Sequence, residues 1–134
     1  MACRITELVI DCADPRRLAD FWCEVLGYVE IDSDDADVEI GPPGSTVGGP
    51  SITLLFSRSA DPRRGKLPMH LDVNATDRDQ DAELRRLLAA GARKVDIGQT
   101  GDESWHVLAD PEGNEFCLLR PRVAALNPVG AERE

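Results

Sequence analysis

The second half of the chain repeats the plan of the first at an offset of 63 residues. Glu7-Leu8-Val9-Ile10 runs into Asp14-Pro15 and an apolar helical pattern that closes at Leu26-Gly27. His70-Leu71-Asp72-Val73 runs into Asp77 and a similar pattern that closes at Ala90-Gly91. A duplication of this kind restricts the fold strongly. Each copy must be a supersecondary unit, and the two copies must bury a shared core, an arrangement that often leaves a cleft between them. At this offset Glu7 falls opposite His70 and Asp14 opposite Asp77. Glutamate and histidine bind metals and move protons, so the two first strands are where function is sought.

The 134 residues suffice for one compact domain. A net charge of −10 repels nucleic acid and anionic membranes, so neither is expected as a partner. No stretch approaches the roughly 20 apolar residues of a membrane span. The N-terminus lacks the apolar region of a signal peptide. Cys3, Cys12, Cys23 and Cys117 are scattered without a C-x-x-C pair, as expected of reduced thiols in a cytoplasmic protein.

Residues 4–12 read as a strand. Asp14-Pro15 starts a helix whose apolar stripe is Leu18, Phe21, Trp22, Val25 and Leu26, and Gly27 ends it. Tyr28–Asp32, Asp37–Ile40 and Ser51–Ser57 read as strands, with an irregular Gly/Pro-rich stretch over 41–50 that is either a lid or slack. Asp61–Lys66 is a polar boundary. Beyond it come a strand over Met69–Asn74, a helix over Arg78–Ala90, and strands over Lys94–Ile97, Trp105–Ala109 and Glu115–Arg120, the last two joined by the turn Asp110–Asn114. Each half is therefore predicted as strand, helix and three strands. The fold class is α+β: two paired βαβββ modules whose curved sheets surround a cleft, with helices outside.

Three segments resemble the vicinal oxygen chelate superfamily and its glyoxalase-like branch, the glyoxalase, bleomycin resistance and dioxygenase type. They are Asp14-Pro15 through Phe21-Trp22 to Leu26-Gly27, then Met69-His70-Leu71-Asp72-Val73, and Trp105 through Asp110-Pro111-Glu112-Gly113-Asn114 to Glu115-Phe116-Cys117. The resemblance implies one glyoxalase-like domain over residues 1–122, with module one at 1–60 and module two at 66–122, followed by a flexible tail over 123–134. It also implies a homodimer. In the superfamily's metalloenzymes, four strand side chains hold one divalent ion that stabilises negative charge on substrate oxygen.

On this resemblance Glu7 and His70 stand at the two first-strand ligand positions, as metal ligands or, without a metal, as a catalytic acid/base pair. The other two positions depart from the pattern. Cys117 stands where a metalloenzyme has Glu, and Thr53-Leu54-Leu55-Phe56 offers no carboxylate, amide or imidazole. Cys117 is either a small buried hydrophobe or a thiolate that favours a softer ion such as zinc. Asp72, two residues from His70, shares its strand face and is expected either to orient it or to add a second acid. Trp105, Asp72, Leu55 and Cys117 are the expected ligand-contacting residues. His106 is expected at the surface, and Ser33–Asp37 is expected to be a solvated turn.

Two functions compete, ahead of a third in which an interaction or regulatory domain has kept the fold and lost the site. One is a protein that binds a small organic molecule in the inter-module cleft with an incomplete metal site. The other is a lyase, isomerase or dioxygenase that acts on a small oxygenated substrate through zinc, nickel, manganese or iron.

Overall fold

The computed structural model describes residues 2–62 and 66–126. They belong to two compact units, Met1–Arg63 and Arg64–Leu126. Of the tail expected over 123–134, residues 127–134 lie outside the described residues.

The first unit runs β1 (Glu7–Cys12), α1 (Pro15–Leu26), β2 (Val29–Ser33), β3 (Asp37–Gly41) and β4 (Thr53–Arg58). Its sheet has the order β1-β4-β3-β2, with β1 parallel to β4 and the other pairs antiparallel. The second unit repeats this plan with β5 (Leu71–Val73), α2 (Gln80–Ala90), β6 (Arg93–Lys94), β7 (His106–Ala109) and β8 (Glu115–Leu118), in the order β5-β8-β7-β6. Both halves are thus βαβββ modules, as the duplication predicts.

The local chemistry explains why α1 forms where it does. Asp14 accepts a hydrogen bond from the Arg17 amide at 3.2 Å, and Pro15 occupies the first helical position, where its missing N–H costs nothing. Gly27 takes the left-handed conformation at φ 68° and returns its amide to Cys23 O at 2.9 Å. Leu18, Ala19, Phe21 and Trp22 are buried, and the helix lies across β3 and β4. Those strands alternate: Val38, Ile40, Leu54 and Phe56 form the core face. The opposite face carries Asp37, Glu39, Thr53, Leu55 and Ser57.

In the second unit α2 buries Leu84 and Leu87, while Leu88 is only half-buried. Its cap is Asp79, which accepts from the Ala82 amide at 2.8 Å, so the helix begins two residues later than the repeat predicts. Asp77 instead pairs with the Arg78 side chain. The offset between the copies is therefore not constant, because the second copy has a longer connection between its first strand and its helix.

The strand predicted over 94–97 is also shorter. Side chains capture the backbone that would extend it: Asp96 accepts from Gly98 N, Gln99 from Ile97 N, and Glu103 from Thr100 N and Gly101 N. At the other end, Val123 N donates to Ala75 O at 3.0 Å. The Asp34–Asp37 stretch is the expected turn, with Asp34 accepting from the amides of Ala36 and Asp37 at 2.8 Å each. Among the described residues no helix is long and apolar enough to cross a membrane.

Candidate metal centre and a carboxyl cluster in the first unit

The second unit's site is assembled by strand pairing. Asp72 and Cys117 are directly opposed across the parallel pair β5–β8, so their side chains leave the sheet on one face. His70 precedes β5 by one residue, and its Nε2 lies 3.2 Å from Asp72 Oδ1. One donor atom from each of His70, Asp72 and Cys117 lies within 4.8 Å of the other two. His70 and Asp72 are about half exposed, while Cys117 is half-buried beside them.

Burial pushes the Cys117 thiol above its ordinary range. The carboxylates of Asp72 and Glu115 add to the rise, and Lys66 opposes it. A cation placed among these three groups would reverse that balance, because it favours the thiolate and satisfies the carboxylate together. Nitrogen, oxygen and sulfur converge, and the half-exposed His70 and Asp72 leave the cluster open to solvent or a ligand. This donor set suits a divalent ion, with His70, Asp72 and Cys117 as the residues that would hold it. When bound, such an ion would polarise an oxygen of the molecule it met.

The first unit places Glu7 at the start of β1, exposed and in register with Thr53. The same face holds a residue that the sequence reading passed over. Glu39 on β3 is only 4% exposed, and its Oε2 accepts from Thr53 Oγ1 at 2.9 Å. Glu7 lies close enough for its charge to act on the same carboxyl. The signal was present in the alternation of β3, where Val38 and Ile40 face the core and Asp37 and Glu39 must face away from it. Attention to the last strand of the module alone hid it.

Burial pushes the Glu39 carboxyl above the usual carboxylate range, and the charges of Glu7 and Asp32 add to the effect against the Thr53 hydroxyl. A raised folded-state value means that Glu39's contribution to stability is complete below the unfolded value of 4.5 and is lost as pH rises through the folded value. Glu39→Gln is therefore expected to raise stability at pH 8 and to leave it nearly unchanged at pH 4. The gain at pH 8 should be on the order of 1 kcal/mol, read from urea unfolding midpoints. Equal effects at both pH values would count against a Glu39 carboxyl raised by burial.

The remaining sequence candidates take definite places. Leu55 is half-buried on the Glu39 face, opposite both Val9 and Glu39. Trp105 is 43% exposed and immediately precedes β7, in step with Val107, which is paired with Cys117. Gln80 fixes its approach by donating to Ser104 O at 2.7 Å and to Leu118 O at 3.2 Å. His106 is half-buried rather than at the surface. It pairs with Leu118, in step with Leu108 and away from Cys117. Phe21 and Trp22 are core, with rings in an edge-to-face contact 5.3 Å apart.

Several solved structures share this architecture at low sequence identity. A glyoxalase/bleomycin resistance protein/dioxygenase family enzyme from Burkholderia phytofirmans superposes with a TM-score of 0.63 at 17% identity, covering 87% of this chain and 97% of that one. A genomically encoded fosfomycin resistance protein from Listeria monocytogenes gives 0.66 at 14% identity, covering 92% and 94%. An antibiotic binding protein from a Streptomyces species gives 0.60 at 19% identity, covering 90% and 97%. A search of curated protein sequences finds no match. The glyoxalase-like domain family, in contrast, matches residues 7–119, from the first residue of β1 to one residue past β8. The chain is a member of the glyoxalase-like domain family, within the vicinal oxygen chelate superfamily.

Proposed function

We propose that this protein binds a small oxygenated organic molecule with the help of a divalent ion seated by His70, Asp72 and Cys117. The observation that carries this reading is the convergence of those three donors within 4.8 Å on one sheet face. Trp105, with its exposed indole in step with Val107, offers a flat apolar contact for the ligand. Within the first unit, Glu7 and Leu55 leave the sheet on one face and would offer a ligand of that unit a carboxyl and an apolar surface. The Streptomyces relative, described as an antibiotic binding protein, supports binding as the role. The Burkholderia relative, described as an enzyme, supports the second reading, in which the same ion serves a lyase, isomerase or dioxygenase. In that case His70 would move a proton at this site, and Glu7 would be the acid/base group of the first unit. A homodimer in the cytoplasm completes the proposal.

Equilibrium dialysis against zinc, nickel, manganese and iron(II), followed by metal analysis, tests the reading. The intact chain is expected to retain one equivalent of at least one of these ions. His70→Ala should weaken retention 10–100-fold, and Asp72→Asn by a similar factor. A wild-type protein that retains no ion, or one that retains it equally in both variants, would sink the metal-assisted reading.

A further inference from the structure

We infer that the second unit's site selects thiolate-preferring ions of the zinc and cobalt(II) class over hard, oxygen-seeking ions such as manganese and magnesium. The inference rests on the reading above that His70, Asp72 and Cys117 hold an ion, and it goes further by assigning the class of ion to one residue, Cys117.

Three observations carry it. The first is the donor count. The cluster offers one imidazole nitrogen, one carboxylate and one sulfur, whereas a hard divalent ion seeks six or more oxygens. The second is that the pairing of Asp72 with Cys117 in β5–β8 fixes the sulfur on the site's face. Bond lengths of about 2.0–2.3 Å to zinc imply donor separations of roughly 3.3–3.8 Å in a tetrahedron. Movements of about 1 Å by the half-exposed His70 and Asp72 would close the present spacing around an ion of that kind.

The third observation concerns the next carboxylate on the same strand face. Glu115 lies two residues before Cys117 and would be the natural further oxygen donor, but it is held by Lys66 at 3.1 Å. This ion pair competes with a metal for the Glu115 carboxylate, whereas among the described residues Asp72 has only the imidazole of His70 as its ion-pair partner. Water or a ligand oxygen would complete a four-coordinate shell, the open arrangement in which zinc takes up an exchangeable ligand.

Cobalt(II) titration of the full chain under reducing, anaerobic conditions tests the assignment, in a Cys3→Ser background so that the exposed Cys3 does not contribute. The expected result is a near-ultraviolet thiolate-to-cobalt charge-transfer band that saturates at one equivalent. Zinc should discharge it, and a large excess of manganese should not. Cys117→Ser should abolish the band and weaken zinc retention at least tenfold. Cys117→Glu should abolish the band while raising manganese retention, which keeps the test decisive should the serine variant fold poorly. Cobalt binding without the band, or zinc retention unchanged in both Cys117 variants, would overturn the assignment and leave the metal site standing. Absence of any bound ion in the parent protein would overturn the metal site itself.

Discussion

Trp22→Ala lowers the unfolding free energy by about 3–5 kcal/mol, the cost of deleting a fully buried indole and leaving a cavity that its neighbours fill only in part. Trp22 is 1% exposed and stands against Phe21 edge-to-face, on the helix face that covers β3 and β4. The strand residues on that side, Ile40 and Phe56, are fully buried, so the vacated volume has no solvent route by which to relax. Against the 5–15 kcal/mol stability of an ordinary domain, the loss is a large fraction of the whole. Chemical denaturation followed by circular dichroism measures it. The variant also leaves Trp105 as the sole tryptophan, so its fluorescence reports the second unit by itself. Trp22→Phe, which keeps an aromatic ring in place, should lose less than half as much. A loss below 1 kcal/mol for Trp22→Ala would mean that α1 does not carry the first unit's core.

That core was legible in the sequence because its signals are local and periodic. Asp14-Pro15, the stripe Leu18-Phe21-Trp22 and Gly27 name the cap, the buried face and the stop of α1 without reference to any other element. The second copy was harder to place. Its helix begins at Asp79 and not at Asp77, since both aspartates precede a helical pattern and only the folded chain decides which side chain reaches a third-residue amide. The limits of β6 were illegible for a related reason. Asp96, Gln99 and Glu103 draw backbone amides into side-chain bonds, and propensity alone does not reveal which polar residue will win that competition.

The site divides along the same line. His70, Asp72 and Cys117 were each visible as chemistry-bearing residues, but their convergence is a matter of register. A one-residue slip between β5 and β8 would send Cys117 to the face now taken by the buried Phe116 and Leu118. Glu39 was missed because its role is set by β4 and β1, which supply Thr53 and Glu7, and both lie far from it in sequence. The resemblance to metalloenzymes directed attention to the last strand of each module, while the carboxyl in the first unit comes from the strand before it.

Register also gives the family's strongest sequence signature a physical meaning. Asp110→Ala is expected to cost about 2–4 kcal/mol in stability and to weaken zinc retention at His70, Asp72 and Cys117 as well. Asp110 is 1% exposed, and its Oδ1 accepts from the amides of Glu112 at 2.9 Å and Asn114 at 3.0 Å, while Oδ2 accepts from Asn114 Nδ2 at 2.9 Å. Gly113, at φ 86°, lets the chain turn back so that its amide meets Asp110 O, and Asp110 N in turn donates to Asn114 O. These bonds close the turn at the length that sets Ala109 opposite Glu115, and with it Val107 opposite Cys117, on the strand that carries Cys117 beside Asp72. Alanine leaves at least two part-buried amides without the carboxylate that satisfied them, and it loosens the turn that fixes β8. Asp110→Asn keeps an oxygen acceptor in the same place and should cost about half as much, with zinc retention largely preserved. The paired readout separates two meanings of the signature. If Asp110→Ala loses stability but keeps full zinc retention, the Asp-Pro-Glu-Gly-Asn turn serves only the fold. A parallel loss of both shows that this turn delivers Cys117 to the site.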